Sequence, residues 1–152
     1  KINGSRLLQE RFINDEKCKS CVMKTHYVKL PFDKNLLDTS LEGVWKIRES
    51  EWFGKKTVDP DLIHIKIYTN PRFAWASYHS KGKDFVGVGG GTYEFDGAKL
   101  IEHMEYFSYY DITPGDERID VIKQSSKAIQ LINLGSAGKE IYDKVQRTSG
   151  RE

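Results

Sequence analysis

Glu102 is the side chain of this sequence whose position best suits proton transfer or the orientation of a bound molecule. It lies in KLIEHMEYF, residues 99–107, where polar and apolar residues alternate as they do in a strand. If the strand turns Glu102 inward, burial penalises the charged carboxylate, and the group becomes a candidate general base or hydrogen-bonding anchor. If it turns outward, Glu102 is a solvated surface carboxylate, and the sequence leaves both orientations open. A buried carboxylate needs a partner, for which Arg118, His79 or a Tyr hydroxyl is available.

A glycine-rich stretch, VGVGGGTYEFDG at residues 86–97, precedes this strand. A phosphate-binding loop needs a helix directly after its glycines, because the helix N-terminus holds the anion. Here the glycines are followed by the alternating TYEF and then by Asp96-Gly97, which is a hairpin-turn signal. Glycines within a strand mark a bulge, a bend or the close approach of another group. The stretch therefore predicts a strongly bent strand and excludes a nucleotide site.

A two-residue turn at Asp96-Gly97 gives the expected pairing of the two strands. It places Tyr93 opposite Leu100 and Gly91 opposite Glu102, and it leaves open volume beside Glu102. A slip of one residue would instead turn His103, Glu105 and Phe107 inward. In the first pairing, the inward face carries Tyr93, Phe95, Leu100, Glu102, Met104 and Tyr106. Together with two aromatic residues of the segment RFAWASYH, the predicted ligand-binding side chains are Phe73, Trp75, Tyr93, Glu102, Met104 and Tyr106.

Other residues that could do chemistry give weaker signals. His64, His79 and His103 stand on separate predicted strands without H-x-H or H-x-x-x-H spacing, so we expect no metal site and no cofactor. Cys18 and Cys21 form a single C-x-x-C, which fits a redox pair, half a zinc site or a small disulfide loop. Two thiols or a local disulfide are favoured. The Gly-x-Ser-x-Gly elbow of many serine hydrolases does not occur in the sequence.

The composition excludes several classes of function. The 24 basic and 22 acidic residues leave a formal charge of +2, without the one-sided basic clustering that nucleic-acid binding requires. No apolar run approaches the ~20 residues of a membrane-spanning helix. The length of 152 residues suits one main domain with a sizeable core, and the 12% aromatic content favours strands and walled cavities.

The elements that position these residues are predicted to be strands. From Leu41 onward, alternating segments are separated by turn signals at roughly 8–12-residue spacing. This pattern predicts an all-β fold, a sandwich or a barrel, whose strands follow one another in up-and-down order. Residues 1–40 differ, since a short helical period is followed by a possible strand at 23–30, and we expect an irregular N-terminal arm there. The residues of that helical period are Leu7, Leu8, Arg11 and Phe12.

Three groups of motifs carry a resemblance to a known family. Gly43-Val44-Trp45 matches a Gly-x-Trp first strand, and IYDKVQR at 141–147 matches a closing strand whose Arg packs near that Trp. With FAWASY, GGGTY and IEHMEY, the chain resembles lipocalin-like (calycin) domains, and more narrowly small exported bacterial lipocalin-like proteins of uncharacterised function. The resemblance implies an all-β, up-and-down antiparallel barrel of about eight to ten strands around a cavity over residues 41–148, followed by a tail at 149–152. It also implies structural roles for Gly43, Trp45 and Arg147. A guanidinium stacked on an indole gains roughly 0.5–2 kcal/mol, which explains the expected pair of Trp45 and Arg147.

The function expected from these features is the noncatalytic binding or transport of a small, largely apolar or amphipathic molecule. The resemblance does not carry over a ligand type, because the linker EWFGKKTVDPD is too short for the two-helix lid of fatty-acid-binding proteins. Two alternatives remain open: a barrel-type isomerase or lyase with Glu102 as general base, and a protein-interaction module with a filled barrel. The resemblance also implies an exported protein, periplasmic or at the cell surface. The oligomeric state and whatever precedes Lys1 are left open.

Overall fold

The computed structural model describes residues 2–3, 6–13, 21–28, 40–82, 84–108 and 115–146. The chain divides into two compact units, Lys1–Asn35 and Leu36–Glu152. The described residues of both units are strands joined by turns, and they contain no helix. Accordingly, this part of the chain has no helix long and apolar enough to span a membrane.

The first unit contains a three-stranded sheet in the order β1 (Ile2–Asn3), β2 (Arg6–Ile13) and β3 (Cys21–Val28). The prediction of an irregular arm with a short helical period is wrong for β2, which pairs antiparallel with β3 over its whole length. A helix of so few residues has little stability of its own, and the pairing with β3 outweighs its weak pattern. Cys18 lies outside the described residues, so the predicted state of the Cys18 and Cys21 thiols stays a prediction.

The second unit contains a closed barrel, which confirms the predicted all-β, up-and-down antiparallel architecture. Each barrel strand pairs with its neighbour in chain order, and the last strand pairs with the first to close the sheet. The short β5 (Lys55–Thr57) continues beside the end of the first barrel strand. The eight barrel strands are β4 (Gly43–Trp52), β6 (Leu62–Thr69), β7 (Arg72–His79), β8 (Phe85–Phe95), β9 (Lys99–Phe107), β10 (Glu117–Gln124), β11 (Ala128–Asn133) and β12 (Gly138–Lys144).

One end of the barrel interior is filled with apolar and aromatic side chains. We call this set the apolar end. It lies where β4 begins and β6 ends, and Leu41, just before β4, is fully buried within it. The indole of Trp45 donates a hydrogen bond from Nε1 to the carbonyl oxygen of Leu41 at 2.8 Å, which fixes the chain that enters β4. The apolar end comprises Leu41, Trp45, Tyr68, Phe73, Tyr93, Leu100, Ile122 and Ile129.

Trp45 has the structural position that the resemblance implies, but the cation over its ring differs from the expected one. Arg147 lies outside the described residues. Within them, Lys144 near the end of β12 places its Nζ 5.0 Å from the centroid of the Trp45 ring. Gly43 has a φ of +141°, and its Cα lies so close to the Lys144 side chain that a Cβ would come within 2.9 Å of Cε. Gly43 therefore makes room for the cation that packs against Trp45.

The pairing of β8 and β9 differs by two residues from the expected one. Tyr93 lies opposite Glu102, where Leu100 was predicted, and Phe95 lies opposite Leu100. The cause is the turn, which has four residues because the Asp96 carboxylate accepts hydrogen bonds from the backbone amides of Ala98 and Lys99 at 2.9 and 2.7 Å. A shift of two residues keeps every side chain on its predicted face, so Glu102 still points inward.

A bulge between Gly90 and Gly91 changes the faces further along β9. Gly91 lies opposite Met104 whereas Gly90 lies opposite Tyr106, so Glu105 is the extra residue. Beyond the bulge Tyr106 points outward and is 47% exposed, which makes its predicted inward orientation wrong. The space directly beside Gly89 is filled by two aromatic side chains, whereas the open volume expected beside Glu102 is present. A Cβ at Gly89 would lie 2.6 Å from Nε1 of Trp75 and 2.8 Å from the Phe107 ring.

Candidate functional site

A cavity of about 540 Å³ occupies the half of the barrel interior opposite the apolar end. Its volume lies within the range of small-molecule sites, roughly 300–1,000 Å³. The opening lies near Trp52 at the end of β4 and near Asp116 and Glu117 at the start of β10. Apolar surface comes from Trp52, Trp75, Met104 and Phe107. The ring of Phe107 meets the Trp75 indole edge to face, with centroids 5.1 Å apart.

Buried charged and hydrogen-bonded groups form the rest of the cavity lining, which we call the polar wall. They include an ion pair between β6 and β9. Lys66 Nζ lies 3.0 and 3.1 Å from the two carboxylate oxygens of Glu102, and both side chains are almost fully buried. Tyr68 donates its hydroxyl hydrogen to Glu102 Oε1 at 2.6 Å. Glu102 thus accepts hydrogen bonds at both oxygens. Charges this deeply buried are tolerated only when they are paired in this way.

A second ionic group lies on β10 and β12. Arg118 donates from Nε and Nη2 to the two oxygens of Asp120, at 2.8 and 3.2 Å. Its Nη2 also donates to Glu140 Oε2 at 2.8 Å. Asp120 is fully buried, and the carbon of the guanidinium lies 5.8 Å from the centroid of the Trp52 ring. Arg118 is therefore held by two carboxylates and an aromatic ring.

Burial and these charges set the protonation of the neighbouring groups. Burial lowers the pKa of His64 to about 4, with Lys66 adding to the effect, so this imidazole is neutral near pH 7. Burial by itself raises the pKa of Glu140, but the charges of Arg118 and Lys66 and two hydrogen bonds outweigh it and bring the value to about 2. Glu140 is ionised as a result. Burial and the charge of Glu140 raise the pKa of Tyr142, whose hydroxyl stays protonated.

These protonation states give a hydrogen-bond chain one direction. Tyr142 donates its single hydroxyl hydrogen to Glu140 Oε2 at 2.9 Å, so in the 3.3 Å contact with His64 the donor is Nε2–H. The neutral ring then has an unprotonated Nδ1, which accepts the hydroxyl hydrogen of Ser77 at 2.5 Å. The chain runs from Ser77 through His64 and Tyr142 to Glu140. It leaves the lone pairs of the Ser77 oxygen available to a bound molecule.

The structure brings together only part of the predicted ligand-binding set. Trp75, Glu102 and Met104 line the cavity. Phe73 and Tyr93 are buried in the apolar end, where Tyr93 meets the Tyr68 ring edge to face at 5.0 Å. Tyr106 lies on the outer surface beyond the bulge, and Phe107 takes the inward place. Whether any of these residues binds a ligand stays a prediction.

Most of the polar cavity residues were not predicted as site residues, although the sequence held a signal for them. Polar residues stand at every second position along three strands: His64 and Lys66 on β6, Arg118 and Asp120 on β10, and Glu140 and Tyr142 on β12. Of the partners considered for a buried Glu102, a Tyr hydroxyl is correct, but the cation is Lys66. His79 lies 3.7 Å from Asp59 instead.

The described residues hold no group of three or more His, Cys, Asp or Glu side chains that could bind a metal ion. The three histidines considered for such a site have separate surroundings. His64 lies in the cavity lining, and His79 lies 3.7 Å from Asp59. His103 contacts Glu94 and Glu117, and Glu117 also lies at the opening of the cavity.

No protein-family model matches the chain, and no curated protein matches it. Among solved structures, it is similar to the crystal structure of a lipocalin-like protein from Bacteroides uniformis, with a TM-score of 0.54 and 16% sequence identity. The match covers 70% of this chain and 99% of that one. The likeness shows a lipocalin-like fold, as the sequence motifs implied.

Proposed function

We propose that this lipocalin-like barrel binds a small amphipathic molecule in its cavity and does not transform it. The observation that carries the proposal is the cavity of about 540 Å³. Its lining combines the rings of Trp52, Trp75 and Phe107 with buried groups that are charged or hydrogen-bonded. Such a combination suits a ligand with an apolar body and a polar end, because aromatic surface supplies burial and convergent polar groups supply orientation.

The polar wall refines the expectation of a largely apolar ligand. Lys66, Glu102 and Glu140 are buried, and a wholly apolar molecule beside them would add desolvation without adding hydrogen bonds. The apolar body gains about 25 cal/mol per Å² of buried surface, so about 200 Å² contributes about 5 kcal/mol before ordering costs are subtracted. A polar end that donates a hydrogen bond to the Ser77 oxygen would, in addition, fix the orientation of the ligand.

The same contacts bear on the two alternative functions. A general base needs a lone pair aimed at its substrate. Both oxygens of Glu102 already accept hydrogen bonds, from Lys66 and Tyr68, which argues against an isomerase or lyase built on Glu102. The volume of the cavity argues against an interaction module with a filled barrel. Export to the periplasm or cell surface stays a prediction.

The proposal is tested by titrating the protein with N-phenyl-1-naphthylamine, a neutral probe whose fluorescence rises in apolar surroundings. The wild-type protein is expected to bind it with one site per chain. Met104→Trp places a larger ring in the cavity and is expected to weaken binding at least tenfold. Tyr106→Trp introduces the same residue on the outer face of β9 and is expected to leave the affinity unchanged.

The two variants are compared only after circular dichroism shows that both are folded. Absence of binding by the wild-type protein contradicts the proposal. Equal affinities of the inward and outward tryptophan variants also contradict it, because the probe would then bind outside the cavity.

A further inference from the structure

The charged groups inside the barrel do not balance. Two cations of the cavity lining, Lys66 and Arg118, contact three carboxylates: Glu102 and Glu140 in the lining, and Asp120, which is fully buried behind Arg118. His64 adds no charge near pH 7, since burial lowers its pKa to about 4. This buried network therefore carries one formal negative charge in excess. In surroundings of low dielectric constant, such an excess interacts strongly with a charged guest.

Both cations of the wall are already occupied by carboxylates. Lys66 contacts both oxygens of Glu102, and Arg118 contacts Asp120 and Glu140 at 2.8–3.2 Å. A ligand carboxylate would bring a fourth negative charge next to three carboxylates that already neutralise these two cations. Like charges so close in surroundings of low dielectric constant repel each other strongly. The cavity thus disfavours the anionic head group that a free cation would attract.

Other groups on the cavity surface favour a positive head group. The opening carries Asp116 and Glu117, whose charges have the same sign as the excess inside. A cleft lined by one sign of charge concentrates ligands of the opposite sign. The Trp52 ring already carries the Arg118 guanidinium, and one face of Trp75 is stacked on His64. The Ser77 oxygen can accept a hydrogen bond from an ammonium group.

We infer that the cavity selects an amphiphile that bears an ammonium group over a carboxylate or an alcohol of the same shape. This inference rests on the proposed function and names the class of its ligand. The apolar body of the ligand packs against Trp75 and Phe107, and its ammonium end lies toward Glu140 and the Ser77 oxygen.

The experiment compares three molecules that share one ring system: 2-(1-naphthyl)ethylamine, 2-(1-naphthyl)ethanol and 1-naphthaleneacetate. Isothermal titration calorimetry at pH 7 and low salt is expected to give at least tenfold tighter binding of the amine than of the carboxylate, with the alcohol between them. Added salt is expected to reduce the preference, since screening weakens the attraction.

Matched glutamine variants locate the origin of the preference. Glu140→Gln removes the excess charge with little change of shape and is expected to bring the affinities for amine and carboxylate to within about threefold of each other. Glu105→Gln, on the outer face beside Arg72, is the control and is expected to preserve the wild-type preference. If Glu140→Gln does not fold, Asp116→Asn at the opening is used instead, and a smaller reduction of the preference is expected.

The outcomes separate this inference from the proposed function. Tighter binding of the alcohol or the carboxylate than of the amine overturns the charge selection and leaves ligand binding standing. A preference for the amine that is unchanged in both cavity variants overturns the role of the wall charges. If none of the three molecules binds, the proposed function and this inference fail together.

Discussion

The two halves of the barrel interior achieve burial by different means. At the apolar end, Leu41, Trp45 and Leu100 exclude water by close packing, and no charged side chain belongs to the set. In the cavity half, Lys66 and Glu102 are equally buried but depend on each other, because either charge alone would be unstable. Stability is therefore concentrated at one end, and the ability to recognise a charged or polar group is concentrated at the other.

Because the two halves are stabilised differently, they should also respond differently to amino-acid substitutions. Close-packed apolar groups lose contacts roughly in proportion to the volume removed. A buried polar network instead fails when a single donor or acceptor is left unpaired. Substitutions in the two halves should consequently differ in how much stability they remove and in whether a second substitution restores it. They should also differ in their effect on ligand binding.

The largest effect is expected from breaking the buried pair. Lys66→Met leaves the Glu102 carboxylate without its cation and should lower the free energy of unfolding by about 4 kcal/mol. Urea denaturation followed by tryptophan fluorescence measures the change. Glu102→Gln added to Lys66→Met should recover part of the loss, because the uncompensated charge is gone.

The exposed pair of Lys139 and Glu51 supplies the control for that measurement. Its atoms lie 2.9 Å apart, yet both side chains are about one-third exposed. Lys139→Met should have a far smaller effect, since solvent screens this pair. Equal losses for Lys66→Met and Lys139→Met would show that burial does not distinguish the two pairs.

Truncation at the apolar end should be nearly as damaging but different in kind. Leu100 is fully buried, and Leu100→Ala should lower the free energy of unfolding by about 3 kcal/mol through lost contacts and a residual void. The affinity for N-phenyl-1-naphthylamine, measured under conditions where the variant is folded, should stay within twofold of wild type. A large loss of affinity would mean that the two halves are coupled.

The pH dependence should reveal the buried imidazole of His64. Its pKa falls from 6.5 to about 4 on folding because burial penalises the charged ring, so the unfolded chain binds the proton more readily. The contribution of His64 to the free energy of unfolding is therefore fully present above pH 6.5. It is lost as the pH falls toward 4, by about 3 kcal/mol. Glu140, whose pKa falls to about 2, contributes a further loss as the pH drops below 4.5.

His64→Gln isolates the contribution of the imidazole. Glutamine keeps hydrogen-bonding groups near Ser77 and Tyr142 but does not titrate. Chemical denaturation at several pH values should show a flatter profile between pH 6.5 and 4 for the variant. Identical slopes for the variant and the wild-type protein would mean that His64 is not held neutral by folding.

The smallest effect is expected at the edge of the apolar end. Lys144→Met removes the cation 5.0 Å from the Trp45 ring and should cost about 0.5–1 kcal/mol. Thermal denaturation detects a change of this size as a shift of a few degrees. A loss as large as that of Leu100→Ala would show that Lys144 has a role beyond its contact with Trp45.

Much of the fold could be predicted from the sequence, because strand alternation and turn signals are local properties. The segment LIHIKIY shows that His64 and Lys66 share one face and that Ile63 and Ile65 share the other. The same alternation placed Glu102 on the face of Leu100, and this holds in the structure despite the error in pairing. The turn length was missed because the carboxylate of Asp96 accepts two backbone hydrogen bonds, which the Asp-Gly signal alone does not show.

The composition of the cavity could not be predicted from alternation, because alternation does not say which face is inside. On β6 the polar face points inward, so Lys66 is buried whereas Ile67 is partly exposed. That choice depends on partners more than thirty residues away, since Lys66 needs Glu102 on β9. The bulge at Gly90 and Gly91 is likewise a property of two strands together, and it exchanges Tyr106 for Phe107 at the cavity.

The sequence by itself determined the barrel strands, their up-and-down order and the fact that Glu102 shares a face of β9 with Leu100, since each depends on residues close together in the chain. Only the tertiary structure decided that Lys66 and Tyr68 hold this carboxylate, that Arg118 is shared by Asp120 and Glu140, and that the buried network has more carboxylates than cations. The physical reason is that the energy of a buried charge depends on every other charge within a few ångströms. Those neighbours become known only when the sheet has closed.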